Sequence, residues 1–111
     1  MSLHSLIFLC GGHMRDEAKF QRSLISEIKE RLPGCVVFKN DAKQGYPDLM
    51  ILHGPKWAAL EVKASLKARK KPRPNQDVQV ERMNEMSFSS FIFPENKEEV
   101  LNELTIFMGK H

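Results

Sequence analysis

The stretch that most constrains this chain covers residues 45–65, GYPDLMILHGPKWAALEVKAS. Two apolar runs, Leu49 to Leu52 and Trp57 to Val62, flank His53-Gly54-Pro55-Lys56, and the Gly-Pro pair is a strong turn signal. The pattern predicts a β-hairpin. Side chains alternate between faces along a strand. Trp57, Ala59, Glu61 and Lys63 therefore share one face, and Ala58, Leu60 and Val62 share the other. Folding the first strand back on the second brings its start, at Asp48, close to the end of the second. The hairpin thus gathers Asp48, Glu61 and Lys63 at one spot.

Two carboxylates pointing the same way repel unless something cationic lies between them. A divalent metal is the usual remedy, because Mg²⁺ takes oxygen ligands from one or two carboxylates together with water and substrate phosphate. A lysine beside such a pair can stabilise charge on a phosphate or position an attacking water. A bare Glu-x-Lys more often marks an exposed ion pair of small energetic weight. Here the Glu-x-Lys follows an apolar strand, and Pro47-Asp48 opens the strand before it, which makes the combination far more specific.

On these residues the chain resembles the PD-(D/E)xK nucleases. Gly45-Tyr46-Pro47-Asp48-Leu49, Glu61-Val62-Lys63 and the later Pro74-Asn75-Gln76 are similar to the VRR-NUC branch, small nucleases found in phages and in DNA-repair enzymes. The resemblance covers roughly residues 14–95. It implies that Asp48 and Glu61, with the carbonyl of Val62, are ligands to Mg²⁺ or Mn²⁺. Lys63 is then the catalytic lysine and Gln76 the residue that holds it, while Glu17 on the first helix joins the metal shell. Tyr46 departs from the smaller or branched residue more usual in the family, at no cost to the chemistry.

The implied fold is α/β and restriction-endonuclease-like, a mixed central sheet flanked by α-helices. The implied activity is metal-dependent hydrolysis of DNA phosphodiesters, leaving a 5′-phosphate. With no separate base-reading domain, shape recognition is the natural mode. The expected substrate is branched, flapped or junction DNA, cut by a homodimer. Two other classes stay open: a DNA-binding module of nuclease fold with weak or no cleavage, and a partner-binding subunit. Intact Asp48, Glu61 and Lys63 argue against the first. Strong salt-dependent DNA binding would argue against the second.

At 111 residues the chain is one domain with one modest core. Its net charge of +3 says little by itself, and the distribution of charge says more. Lys67, Arg69, Lys70, Lys71 and Arg73 form a basic run directly after the carboxylate site, suited to holding phosphates without reading bases. Lys39 and Lys43, in a polar loop before Gly45, are further candidates for the DNA backbone, or else ordinary solvated loop residues. Two cysteines far apart point to a reducing compartment, hence the cytoplasm, and Cys35 in its apolar run reads as buried. No stretch is long enough to span a membrane.

Residues 1–13 read as an extension ahead of a single domain over 14–111. Its apolar run, Leu6 to Cys10, suits an extra edge strand, an oligomer contact or a tail foreign to the domain, with His4 and His13 as tail histidines. Residues 15–32 show helical spacing of Phe20, Leu24, Ile25, Ile28 and Leu32, stopped by Pro33-Gly34. Glu17 near its start either favours the helix dipole or reaches the metal. Residues 35–38 form a short strand. A helix over 76–86, capped by Asn75, turns Val80 and Met83 inward, with Gln79 and Met86 beside them. A strand over 87–93 carries core phenylalanines, and an amphipathic helix over 98–108 closes the domain. This last helix and the N-terminal run are the expected dimer elements.

Overall fold

The computed structural model describes residues 2–41, 45–71 and 74–109, with side chains from Asp16 onward. Helix α1 (Ser2–Arg31) leads into strands β1 (Val36–Lys39), β2 (Leu49–His53) and β3 (Lys56–Val62). A short helix α2 (Leu66–Arg69) and helix α3 (Pro74–Met86) cross over to β4 (Phe88–Ile92). A 3-10 turn (Pro94–Asn96) then opens helix α4 (Lys97–Gly109). The sheet order is β1-β2-β3-β4, antiparallel until β4, which runs parallel to β3. It is the mixed sheet flanked by helices that the sequence predicts.

Gly54 and Pro55 alone join β2 to β3. Gly54 has φ +62°, in the left-handed region open to glycine, while the Pro55 ring holds its own φ negative. Glycine left-handed and then a residue at negative φ is the II′ pattern, whose twist suits a two-residue hairpin. The turn sets Leu49 opposite Leu60 and Ile51 opposite Ala58.

This register sorts the two faces. Leu49, Ile51, Ala58, Leu60, Val62 and Ile92 point to one side, where Leu24, Ile28 and Leu32 of α1 and Val100, Leu101, Leu104 and Met108 of α4 complete the main core. Each fully buried aliphatic side chain there contributes about 1.5–3 kcal/mol. Lys56 and His53 at the hairpin turn sit against the end of α4, where Lys56 Nζ donates to the Phe107 carbonyl at 2.8 Å and His53 Nδ1 lies 3.0 Å from the Met108 carbonyl. A cation at a helix C-terminus meets carbonyls that have no partner within the helix. At the other end of α4, Arg31 bonds Glu27, Glu98 and Asn102, and Lys97 reaches Glu27 at 3.1 Å, tying α1 to α4. The opposite face of the sheet is covered by α3 above β3 and β4, with Val80, Phe91 and Phe93 in a smaller cluster.

Several local expectations change. The first helix is continuous from Ser2, so the Leu6–Cys10 run is helical backbone and not an edge strand. The side chains of that run, with His4 and His13, lie outside the described residues. Helix α3 begins at Pro74, so Asn75 lies within its first turn rather than capping it; proline is suited to that position because its missing N–H has no intrahelical partner there. Met86, expected inward, is exposed because it falls on the last residue of α3, beyond the sheet contact. Cys35 is half-buried, and burial pushes its thiol pKa up.

Candidate active site

The hairpin register carries Asp48 and Glu61 to facing positions just past the Leu49–Leu60 pair, on the α3 side of the sheet. Pro47 before Asp48 is fully buried and fixes the approach to the strand. One oxygen of Asp48, Oδ2, accepts a hydrogen bond from the Val62 N–H at 3.0 Å. On its other edge β3 is tied to β4 as the Lys63 N–H donates to the Ile92 carbonyl at 2.9 Å. Backbone groups alternate edges along a strand, so the Val62 N–H points towards β2, where the ladder has already ended. The Asp48 carboxylate takes the place of the missing strand carbonyl. The Val62 carbonyl points to the same edge as its N–H, beside the acid pair.

Glu61 is 2% exposed, and its Oε1 has no hydrogen-bond partner among the described residues. An orphaned buried carboxylate oxygen is costly unless a proton or a cation is supplied to it. Lys63 Nζ stands 3.6 Å from Glu61 Oε2 and donates to Gln76 Oε1 at 2.7 Å. Gln76 reaches it from the first turn of α3. Burial, and then the neighbouring Asp48 charge, push the Glu61 carboxyl up to about 8, with Lys63 opposing. Burial also raises Asp48, against the Val62 N–H that favours its charged form. The pair therefore holds a proton near neutrality when no other cation is present. Carboxylate oxygens of this kind fit a hard divalent cation.

Asp48, Glu61, Lys63 and Gln76 are thus brought together, and the Val62 backbone lies among them. Glu17 is not. Among the described residues no three of His, Cys, Asp and Glu are grouped so as to hold a metal. Leu24, Ile28 and Leu32 of α1 pack on the Leu49–Leu60–Val62 face, whereas the acid pair turns to the face of α3.

A solved structure described as a VRR_NUC domain superposes on this chain with a TM-score of 0.57 and 25% sequence identity, covering 80% of this chain and 92% of its own. The chain shares the fold of a VRR_NUC domain. No family model and no curated protein matches the sequence.

Around the acid pair of this VRR_NUC-like fold the basic run divides. Ser65, in extended backbone, caps α2 through its hydroxyl, which accepts from the Ala68 N–H, and Glu95 accepts from the Leu66 N–H. Within the run, Lys67, Lys70 and Lys71 are exposed. Arg69 is instead engaged within the fold: its guanidinium pairs with Asp77 at 3.2 Å and stacks 3.6 Å from the centre of the Phe91 ring. That contact with the aromatic face and the carboxylate anchors α2 to α3 and β4. Lys39, exposed at the end of β1, pairs in register with Leu49, one residue from Asp48. Lys43 and Arg73 lie outside the described residues.

Asp77 and Glu95 are the supporting residues that the sequence did not signal. Asp77 carries a trace of it, as an acidic residue in the first turn of a helix. Glu95 carries none, because its partner on α2 lies 29 residues earlier in the chain. Among the described residues no helix is long and apolar enough to cross a membrane.

Proposed function

We propose that this chain is a divalent-metal-dependent DNA nuclease that hydrolyses phosphodiester bonds at the Asp48–Glu61–Lys63 site. The observation that carries the reading is the facing Asp48–Glu61 carboxylate pair, Glu61 buried and Asp48 half-buried, with a glutamine-held lysine beside it. The likeness to a VRR_NUC domain supports a nuclease-type, DNA-processing function and, with it, a divalent cation.

Asp48, Glu61 and the Val62 carbonyl are the residues that hold Mg²⁺ or Mn²⁺. When bound, that ion supplies positive charge to the scissile phosphate and acidifies the attacking water. Lys63 keeps an ammonium at the reacting phosphate, where it orients the water and offsets charge in the transition state. Gln76 fixes the lysine rotamer, so the ammonium is in position before substrate arrives. Lys39, Lys67, Lys70 and Lys71 neutralise flanking phosphates, and Lys43 and Arg73 extend that set. Arg69 acts through position, holding the segment that carries the lysines.

The test is cleavage of labelled linear, flapped and four-way-junction DNA with Mg²⁺, Mn²⁺ or EDTA, beside Asp48→Asn. Cutting that needs the metal and Asp48 supports the reading, and the preferred DNA names the substrate, expected to be branched. Folded protein that binds DNA yet cuts none under either metal leaves a binding module instead.

The homodimer expected for such a substrate has a surface to use. Val36 and Phe38 on edge strand β1, with Leu52 beside them, are 53%, 46% and 41% exposed. Exposed apolar edges of this kind serve pairing between chains. Helix α4 is less suited than its sequence pattern suggests, since its apolar stripe is already spent on the core. Phe38→Asp is expected to halve the mass seen by sedimentation equilibrium; an unchanged mass excludes β1 as the interface.

A further inference from the structure

Beside the acid pair, between the sheet and α3, lies a cleft of about 300 Å³. Tyr46, Met50 and Trp57 from the hairpin side, and Gln79, Arg82 and Met83 from α3, line it, with Met86 at one end. We propose that this cleft receives one unpaired nucleobase of the DNA strand. The inference rests on the nuclease reading above and names the class of substrate: DNA with an unpaired nucleotide next to the cut, as at a flap, a frayed end or a junction.

Position is the first argument. Met50 is two residues from Asp48 and Trp57 four from Glu61, all on the same sheet face. At about 3.3 Å per residue, Trp57 is some 13 Å along the strand from Glu61. The cleft and the acid pair therefore lie on one face of the sheet, with Met50 next to Asp48 on that face. A strand whose phosphate lies at Glu61 has a neighbouring nucleotide within reach of Trp57.

The lining is the second argument. Trp57 and Tyr46 present π-faces, and Met50 and Met83 add polarisable, adaptable walls. Stacking of a base on such surfaces needs no particular sequence. The Gln79 amide suits the hydrogen-bonding edge of a base, and the exposed Arg82 suits its phosphate. A cleft of this size is at the small end for ligand sites and suits a single ring system. A base inside a duplex cannot enter, so occupancy selects nucleotides already out of the stack.

Trp57 is the chain's single tryptophan, which makes the test direct. A dye-labelled flapped oligonucleotide is titrated in EDTA while dye anisotropy reports binding and Trp57 emission reports the cleft. The expected result is quenching that saturates with binding. Removing one base, through an abasic site next to the cleavage position, is expected to abolish the quenching and weaken binding about tenfold. Trp57→Ala is expected to weaken binding by a similar factor, and Trp57→Phe to restore most of it.

If the oligonucleotide binds or is cut while Trp57 emission stays constant, the cleft proposal fails and the nuclease reading stands. If Trp57 emission instead follows protein concentration without DNA, and Trp57→Ala lowers the mass in solution, the cleft is an interface between copies and the proposal fails. If no DNA of any shape binds, both readings fall.

Discussion

Replacing Lys63 with alanine is expected to slow single-turnover DNA cleavage at least a hundredfold, with DNA affinity changing by less than about threefold. The asymmetry follows from where the ammonium sits. Lys63 is 9% exposed, held between Glu61 and Gln76, and is poorly placed to act as one more surface cation. Its charge matters most when negative charge grows on the phosphate, so its loss falls on the rate rather than on binding. Lys67, Lys70 and Lys71, all exposed, carry the opposite expectation: their removal weakens binding and flattens its salt dependence. Lys63→Arg is not expected to rescue, because a planar fork does not fit the space of a compact ammonium. Gln76→Ala is expected to lower the same rate to a smaller extent, since the lysine keeps Glu61 as a neighbour but loses its fixed rotamer. Pre-steady-state quench-flow separates the two effects. A Lys63→Ala protein that cuts as fast as wild type would remove the lysine from the chemistry.

The second large effect concerns Glu61→Gln and has opposite signs for activity and stability. Cleavage is expected to vanish, while the metal-free protein becomes more stable at pH 8 by about 5 °C or more in Tm. The sign follows from proton counting. The Glu61 carboxyl is raised from its ordinary 4.5 to about 8 in the fold. Between those values the folded chain keeps a proton that the unfolded chain has released. Stability of the metal-free protein therefore falls as pH rises through this window, by up to about 1.4 kcal/mol per pH unit. Glutamine has no proton to lose, so the slope flattens. Mg²⁺ or Mn²⁺ is expected to reverse the loss in the wild type, more strongly at pH 8 than at pH 6, and to do little for the variant. Thermal melts across pH, with metal and with EDTA, read all three. A wild type whose stability does not fall from pH 5 to pH 8 in EDTA would show that the acid pair is not buried as described.

How much of this was legible beforehand depends on the range of each interaction. The hairpin could be read because its information is local: alternation on either side of Gly54-Pro55 fixes both strands and the face of every side chain. That is enough to bring Asp48 to Glu61 and Lys63. The Lys63–Gln76 bond was legible only through resemblance, because nothing in the spacing alone says that α3 folds back over β3. For Glu17, helical periodicity gives a stripe on α1 but not which sheet face the helix covers. The division within the basic run was hidden for a related reason. Arg69 differs from Lys67, Lys70 and Lys71 through Phe91 and Asp77, and the ring lies 22 positions further along, beyond the crossover.

The two-residue turn at Gly54-Pro55 has one more consequence. It lies six or more residues from the acid pair, about 20 Å along the ribbon. Surface turns are ordinarily where a chain gains or loses residues without harm. Here a single inserted residue would shift one strand against the other and send Glu61 to the greasy side of the sheet, leaving Asp48 facing leucine. The turn behaves as a ruler for a distant reaction, so along this ribbon the number of residues bears on the chemistry as directly as their identity.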